Sequence, residues 1–217
     1  MHYTRVAALF AALIPPTLVL ADLPAGWKTK HTDKGQWVVG AAAADATDAR
    51  KLTATSAGKE LVNIKPGSDL ISEDKYGDCT VEVEFMIPKG SNSGVYLMGE
   101  YEVQILDSYG KADKDLKPGD MGGIYTYAAP RTNATRKPGE WQKFFIEFQA
   151  PKFEGTKKVS NAKFLKVTFN DAVIHENVEC KGPTPGGLTG KEMAEGPLMF
   201  QGDHGQVALR NIKVTKK

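Results

Sequence analysis

The chain has 217 residues, 41% of them hydrophobic, with 28 Lys and Arg set against 26 Asp and Glu. Its basic residues are scattered, apart from short pairs at Lys157-Lys158 and Lys216-Lys217, so the concentrated basic stripe of a nucleic-acid binder is excluded. With 22 Gly and 12 Pro spread as turn punctuation and only two Cys, it reads neither as a low-complexity chain nor as a disulfide framework.

The N-terminal segment carries Arg5 and then an apolar run, Val6–Leu20, interrupted by Pro15, Pro16 and Thr17. The run is short for a bilayer span, and Val19-Leu20-Ala21 suits a signal peptidase. The expectation is a signal peptide over residues 1–21, cleavage after Ala21, and one domain over residues 22–217 that is secreted or periplasmic with no membrane span of its own. The Ala-rich stretch 41–49 lacks large apolar residues at helical spacing and reads as a loop or a weakly specified edge strand.

Clear two-residue alternation starts at Thr80–Ile87, which Pro88-Lys89-Gly90 ends. Gly90-Ser91-Asn92-Ser93-Gly94 reads as a hairpin turn, with Asn92 available to hydrogen-bond at a cleft rim. Strands follow at Gly94–Met98 and Tyr101–Leu106, then at Lys143–Phe148 with Phe144, Ile146 and Phe148 on one face. Phe164–Phe169, a turn at Asn170-Asp171 and Ala172–His175 form a hairpin. Leu198–Gln201 and Val207–Val214 close the chain. No window carries a convincing helical stripe. Many short strands with turns between them predict an all-β, two-sheet antiparallel sandwich. Two long connections, residues 107–138 and 180–196, are where binding residues would sit. Cys79 and Cys180 lie in strand-like text and read equally as a bridged pair or as two buried thiols. Neither has a Cys or His partner at zinc-ligand spacing.

Four segments carry candidate chemistry. In Tyr101–Ser108, alternation sends Tyr101, Val103 and Ile105 to the core and Glu102 and Gln104 to the opposite face. Asp107 is out of phase by one residue, and a bulge after Ile105 would return it to the Glu102 face. Paired carboxylates at such spacing serve glycoside chemistry, although a solvated polar face has the same pattern. In Gln201-Gly202-Asp203-His204-Gly205, the flanking glycines leave the His204 imidazole accessible as an acid, a base or a metal ligand. Tyr125 and Tyr127 offer platforms for a sugar ring, or simply pack their loop. Arg210 projects opposite Val207 and Leu209, toward substrate or toward a structural salt bridge.

Taken in order, these motifs resemble the 3-keto-disaccharide hydrolase domain family. The series is Tyr76-Gly77-Asp78, Asn92-Ser93-Gly94-Val95-Tyr96, Tyr101–Ser108, Gly123-Ile124-Tyr125, Ala129-Pro130, Pro138-Gly139-Glu140-Trp141, Gln201-x-x-His204-Gly205 and Val207-x-Leu209-Arg210-Asn211-Ile212. The resemblance implies a concanavalin A-like jelly roll, usually exported by bacteria, that cleaves sugars already oxidised to a ketone at C3. It implies Glu102, His204 and Asp107 as catalytic residues and Asn92, Gln104, Tyr125, Gln201 and Arg210 as substrate contacts. A divalent cation on Glu102, Asp107 and His204 and an upstream sugar 3-oxidoreductase belong to the same expectation. Glu102-x-Gln104-x-x-Asp107 also resembles a β-glucanase strand motif that is acidic at all three positions. Gln104 breaks that pattern and argues against a two-carboxylate retaining mechanism. The alternative reading is a non-catalytic carbohydrate-binding module of the same fold.

Overall fold

The computed structural model describes residues 23–217, so the expected signal peptide and its cleavage point lie outside the described residues. Fourteen strands follow in chain order: β1 Trp27–Thr29, β2 Gln36–Ala44, β3 Leu52–Lys65, β4 Leu70–Tyr76, β5 Cys79–Met86, β6 Asn92–Leu97, β7 Tyr101–Leu106, β8 Gln142–Gln149, β9 Lys152–Glu154, β10 Lys157–Ser160, β11 Ala162–Phe169, β12 Ala172–Cys180, β13 Gly196–Phe200 and β14 Ala208–Lys216. The single helical turn among the described residues is a 3-10 segment at Asp113–Asp115. No described helix is long and apolar enough to cross a membrane.

The strands form two antiparallel sheets, ordered β1-β4-β13-β6-β7 and β12-β11-β8-β5-β14-β3-β2, with a small β9–β10 ribbon beside them. Alternation explains why the sheets face each other. Val81, Val83 and Phe85 of β5 and Phe144, Ile146 and Phe148 of β8 meet Val95 and Leu97 of β6 and Tyr101, Val103 and Ile105 of β7 in one buried core. Phe144 stacks on Phe85 with ring centroids 4.9 Å apart and meets Phe169 at a tilt with centroids 4.8 Å apart, which clamps three strands of the larger sheet. Each such pair contributes about 0.5–1.5 kcal/mol beyond its buried area. At the β11–β12 hairpin, Asn170 (φ 44°) and Asp171 (φ 72°) both take left-handed backbone, the geometry a two-residue turn needs. Residues 41–44 of the Ala-rich stretch end the edge strand β2, paired with β3, and residues 45–49 form the loop that follows. The strand's small side chains give no helical stripe, and its neighbour supplies the pairing.

The cysteines do not meet. Cys79 on β5 and Cys180 on β12 are separated by β8 and β11. Three strand steps of roughly 4.8 Å put them about 14 Å apart, and a bridge needs Cα atoms within roughly 7 Å. Both are free and buried, and burial pushes the Cys79 thiol up to about 11 and Cys180 up to about 12. Neither is a nucleophile at neutral pH.

β7 would be an open edge, but the connection that follows it covers that edge. Gln104 N–H donates to Gly123 O at 2.9 Å, Gly122 N–H to Gln104 O at 2.8 Å and Tyr125 N–H to Glu102 O at 3.2 Å. Gly122 is tied in turn to the other sheet, because its carbonyl accepts from buried His175 Nε2 at 2.8 Å. Burial holds this imidazole below its usual value against the opposing Gly122 bond, with Arg131 adding to the depression. The folded chain therefore binds this proton less readily than the unfolded one. Stability from His175 is complete above the ordinary histidine range and falls as pH drops through the lowered value. A His175→Gln variant can still donate to Gly122 O but does not titrate. Thermal melts between pH 7.5 and 5 are expected to show a smaller acid-side loss for the variant, and an unchanged slope would refute the assignment.

Candidate functional site

Glu102 and Gln104 of β7 point away from the core, onto the outer face of the five-stranded sheet. Opposite them the β6 register pairs Tyr96 with Glu102 and Gly94 with Gln104. The gap at Gly94 is filled by Glu102 itself, since a Cβ there would lie 2.2 Å from Glu102 Oε1. The resulting cleft, about 210 Å³, is lined by Asn92, Tyr96, Glu102, Gln104, Tyr125, Pro185, Gly186, Gln201 and His204. It is smaller than the roughly 300–1,000 Å³ of drug-sized ligand pockets and suits one sugar ring.

His204 reaches the cleft from a turn that two buried polar residues pin. Asn63 Nδ2 donates to Gly202 O at 2.7 Å and Gly205 O at 3.2 Å, and Gly202 N–H donates to Asp69 Oδ1 at 3.0 Å. Gly205 then packs directly on the start of β6, where a Cβ would lie 2.3 Å from Ser91 Oγ. The exposed imidazole is oriented by its sequence neighbour, with Nδ1 and Asp203 Oδ1 2.5 Å apart. A carboxylate accepts only, so Nδ1 carries the proton and Nε2 is the free basic nitrogen.

The other connection forms the far wall. Buried Glu100 accepts from Thr189 Oγ1 at 2.6 Å, Thr189 N–H at 2.8 Å and Gly190 N–H at 2.9 Å. Leu188 packs on Tyr96, Ile71 and Met199. Together they hold Pro185 and Gly186 over Tyr96, whose hydroxyl donates to Pro185 O at 3.3 Å.

The electrostatics centre on Glu102. Burial pushes its carboxyl up to about 8; the Tyr96 hydroxyl beside it pulls down, and the negative charge of Asp203 pushes up. Burial, with Glu102 as neighbour, raises the Tyr96 phenol well above its usual value. The cleft at neutral pH therefore presents a protonated carboxyl, a phenol and an imidazole. Gln104 Oε1 accepts Ile105 N–H at 3.0 Å, which leaves its NH₂ group to donate. Asn92 Oδ1 is buried without a partner among the described residues and is an open acceptor.

Of the expected site residues, Glu102, Gln104, Asn92, Tyr125, Gln201 and His204 line one cleft. Two do not. The β6–β7 register runs unbroken from Leu97↔Tyr101 to Asn92↔Leu106, so no bulge turns Asp107 inward. Its carboxylate instead accepts Gly90 N–H at 2.8 Å and Tyr109 N–H at 3.3 Å, capping the loop before β6. Arg210 sits on the other sheet, 2.7 Å from Glu84 through both Nε and its terminal nitrogen, with its guanidinium 4.0 Å over Trp141. It is a structural salt bridge. Because Asp107 is elsewhere, the cation set Glu102, Asp107 and His204 is not assembled, and the described residues hold no group of three His, Cys, Asp or Glu fit for a metal ion. Sequence reasoning missed Asp203 and Gly94, though both lay inside quoted motifs. The signals were an acid directly before the histidine and a glycine on the strand facing Glu102.

The fold is a two-sheet antiparallel sandwich that gathers Tyr96, Glu102 and His204 in one cleft on the outer face of its five-stranded sheet. The chain itself is a member of the 3-keto-disaccharide hydrolase family, the 3-keto-alpha-glucoside-1,2-lyase-like domain, which it matches over residues 21–215. It is similar to a candidate glycosyl hydrolase from Parabacteroides distasonis ATCC 8503, with 27% identity, 73% of this chain and 72% of that one covered, and a TM-score of 0.61. A second candidate glycosyl hydrolase from the same organism shares the fold at 15% identity, with 88% and 89% covered and a TM-score of 0.58. No curated protein matches the chain.

Proposed function

We propose that the protein cleaves 3-keto-glycosides by removing the proton on C2 and eliminating the group on C1. The observation behind this reading is one buried carboxyl, protonated at neutral pH, in the same cleft as an Asp203-oriented imidazole. A retaining glycosidase needs a second carboxylate as nucleophile, and Gln104 stands where it would be. A binding module needs hydrogen bonds and a platform, and gains nothing from a buried, protonated acid.

The ketone at C3 acidifies the C2 hydrogen. His204 Nε2 takes that proton, while Asp203 steadies the imidazolium through Nδ1. The electron pair moves onto the C3 oxygen, where the Gln104 amide donates a hydrogen bond. Re-forming the C3 carbonyl makes a C1–C2 double bond and breaks the bond from C1 to the leaving oxygen. Glu102 gives that oxygen its proton. In the hydrolytic outcome water adds to C1, Glu102 accepts its proton, and His204 returns one to C2. Tyr125 offers a ring face and Asn92 an acceptor for the sugar. The substrate must come from an oxidoreductase that converts a sugar C3 hydroxyl to a ketone. The signal-like N-terminus leads us to place this chemistry outside the cytoplasm.

The test compares an aryl 3-keto-glucoside with its unoxidised parent. Release from the keto sugar alone is expected, with a primary isotope effect on replacing the C2 hydrogen by deuterium. His204→Ala is expected to lose about 10²–10⁴-fold in kcat, the usual contribution of a positioned acid or base. Asp203→Asn, which leaves the ring but not its orientation, should lose less. Cleavage of the unoxidised glucoside at an equal rate, or absence of the isotope effect with wild-type activity in His204→Ala, would refute the elimination.

A further inference from the structure

Next to the cleft lies a second, open hollow of about 510 Å³, and His204 belongs to the walls of both. Four of its lining side chains are the exposed cations Arg50, Lys51, Lys65 and Lys89. Arg50 and Lys51 share Asp48, at 3.2 and 3.4 Å, whereas Lys65 and Lys89 make no ion pair among the described residues. Three other acids nearby are already engaged, Asp45 by Thr47 and the Asp48 amide, Asp107 by backbone N–H groups and Asp203 by the imidazole. Between the cations the floor is apolar, formed by Ile64, Pro66 and Pro88. Gln206 makes that floor rigid: its side chain accepts Leu52 N–H at 2.8 Å and donates to Ile64 O at 2.7 Å, and its carbonyl accepts Ser91 Oγ at 2.6 Å.

We propose that this hollow is the leaving-group subsite and that it selects a leaving group that is flat, apolar and anionic, such as a carboxylate-bearing aryl group. The proposal rests on the reaction given above, because that reaction fixes where the leaving group goes. C2 lies between C3, whose oxygen takes the Gln104 amide inside the cleft, and C1, so a sugar whose C2 hydrogen faces His204 Nε2 directs its C1 substituent past the imidazole to the boundary of the two cavities, with Glu102 meeting the leaving oxygen from the cleft side. An aryl ring then lies over the proline floor, and its anion meets Lys65 and Lys89. Exposed charges of this kind act through a screened field, so the preference is sensitive to salt.

Two substrates of similar electronic character separate charge from chemistry: the 4-carboxyphenyl and the 4-carbamoylphenyl 3-keto-glucosides. Wild type is expected to show a several-fold lower KM for the carboxylate, narrowing as ionic strength rises from about 0.02 to 0.5 M, where the screening length shrinks below about 5 Å. The double variant Lys65→Glu/Lys89→Glu, with an unchanged melting temperature, is expected to raise KM about tenfold for the carboxylate and less than twofold for the amide, with kcat unchanged for both. Equal KM values in wild type, or equal effects of the charge reversal on the two substrates, would overturn the subsite. So would a preference for a carboxylate at C6 of the sugar over one on the leaving group. If wild type cleaves neither compound, the elimination reading fails. Calorimetric titration with the unoxidised 4-carboxyphenyl and 4-carbamoylphenyl glucosides then decides the subsite alone: charge-selective binding lost in the double variant supports it, and equal binding refutes it.

Discussion

Glu102→Gln is expected to lower kcat for a 3-keto-glycoside about 10³-fold, within the usual range for a positioned general acid, and to make the folded protein more stable in alkali. The first effect follows from the proton. A carboxyl pushed up to about 8 is mostly protonated at neutral pH and can deliver that proton to the leaving oxygen. Activity of the parent should accordingly fall as pH rises through about 8. The second effect follows from linkage. The folded-state value lies above the unfolded value of 4.5, so the folded chain holds a proton that the unfolded chain has lost. The associated stability is fully present below 4.5, declines as pH rises toward about 8, and is flat above it. Above that window, keeping the ionised carboxylate buried costs on the order of 5 kcal/mol. Glutamine has nearly the same shape and no charge, so its advantage in melting temperature should be small at pH 5 and about ten degrees or more at pH 9. A variant that keeps a tenth of the activity, or whose stability tracks the parent at every pH, would remove Glu102 from the role of buried acid.

How much of this was legible depends on whether a feature is local. β7 announced its two faces by alternation, because Tyr101, Val103 and Ile105 can go only to the core once the sheet is a half-buried layer. The hairpin at Asn170-Asp171 was legible for the same reason: the turn residues carry their own backbone preference. Asp107 was misplaced because the in-phase position was reached by assuming a bulge, and a bulge has no reliable sequence mark. The observed register has none, and the carboxylate satisfies the Gly90 and Tyr109 amides instead. β3 and β4 went unassigned, and β2 was read only in part as a loop or weakly specified edge, since their patterns are irregular. The β2–β3 register shifts twice, and Thr53–Glu60 faces solvent with polar residues on both sides. His204 was singled out by its glycines, but what brings it to β7 is Asn63 and Asp69, both far from it in sequence and buried by tertiary contacts. Gly90–Gly94 looked like a turn by composition, yet β6 begins at Asn92, because pairing with β7 outweighs local turn preference.

That last misreading bears on the most sensitive position in the cleft outside the reacting groups. Gly94→Ala is expected to cost about 10²-fold in kcat while leaving the fold intact. Gly94 has ordinary strand backbone, since its φ is not among the positive values, so alanine adds no backbone strain. What alanine adds is a Cβ 2.2 Å from Glu102 Oε1 and 3.0 Å from both Cγ and Cδ. The obstructed group is the far end of a long side chain, which can rotate aside, so the sheet survives and the carboxyl moves. A displacement of about 1 Å at a reacting group is enough for a loss of that size. The displaced carboxyl also leaves its dry site, so its value should fall back toward the ordinary carboxylate range, and the alkaline fall in activity should move to lower pH with it. The two substitutions act on one group, so Gly94→Ala should cost almost nothing further in the Glu102→Gln background, where a pair of independent losses would multiply. Melting curves, pH profiles and the double variant together make the test. Activity within threefold of the parent, or full multiplicativity with Glu102→Gln, would show that Gly94 does not make room for the acid.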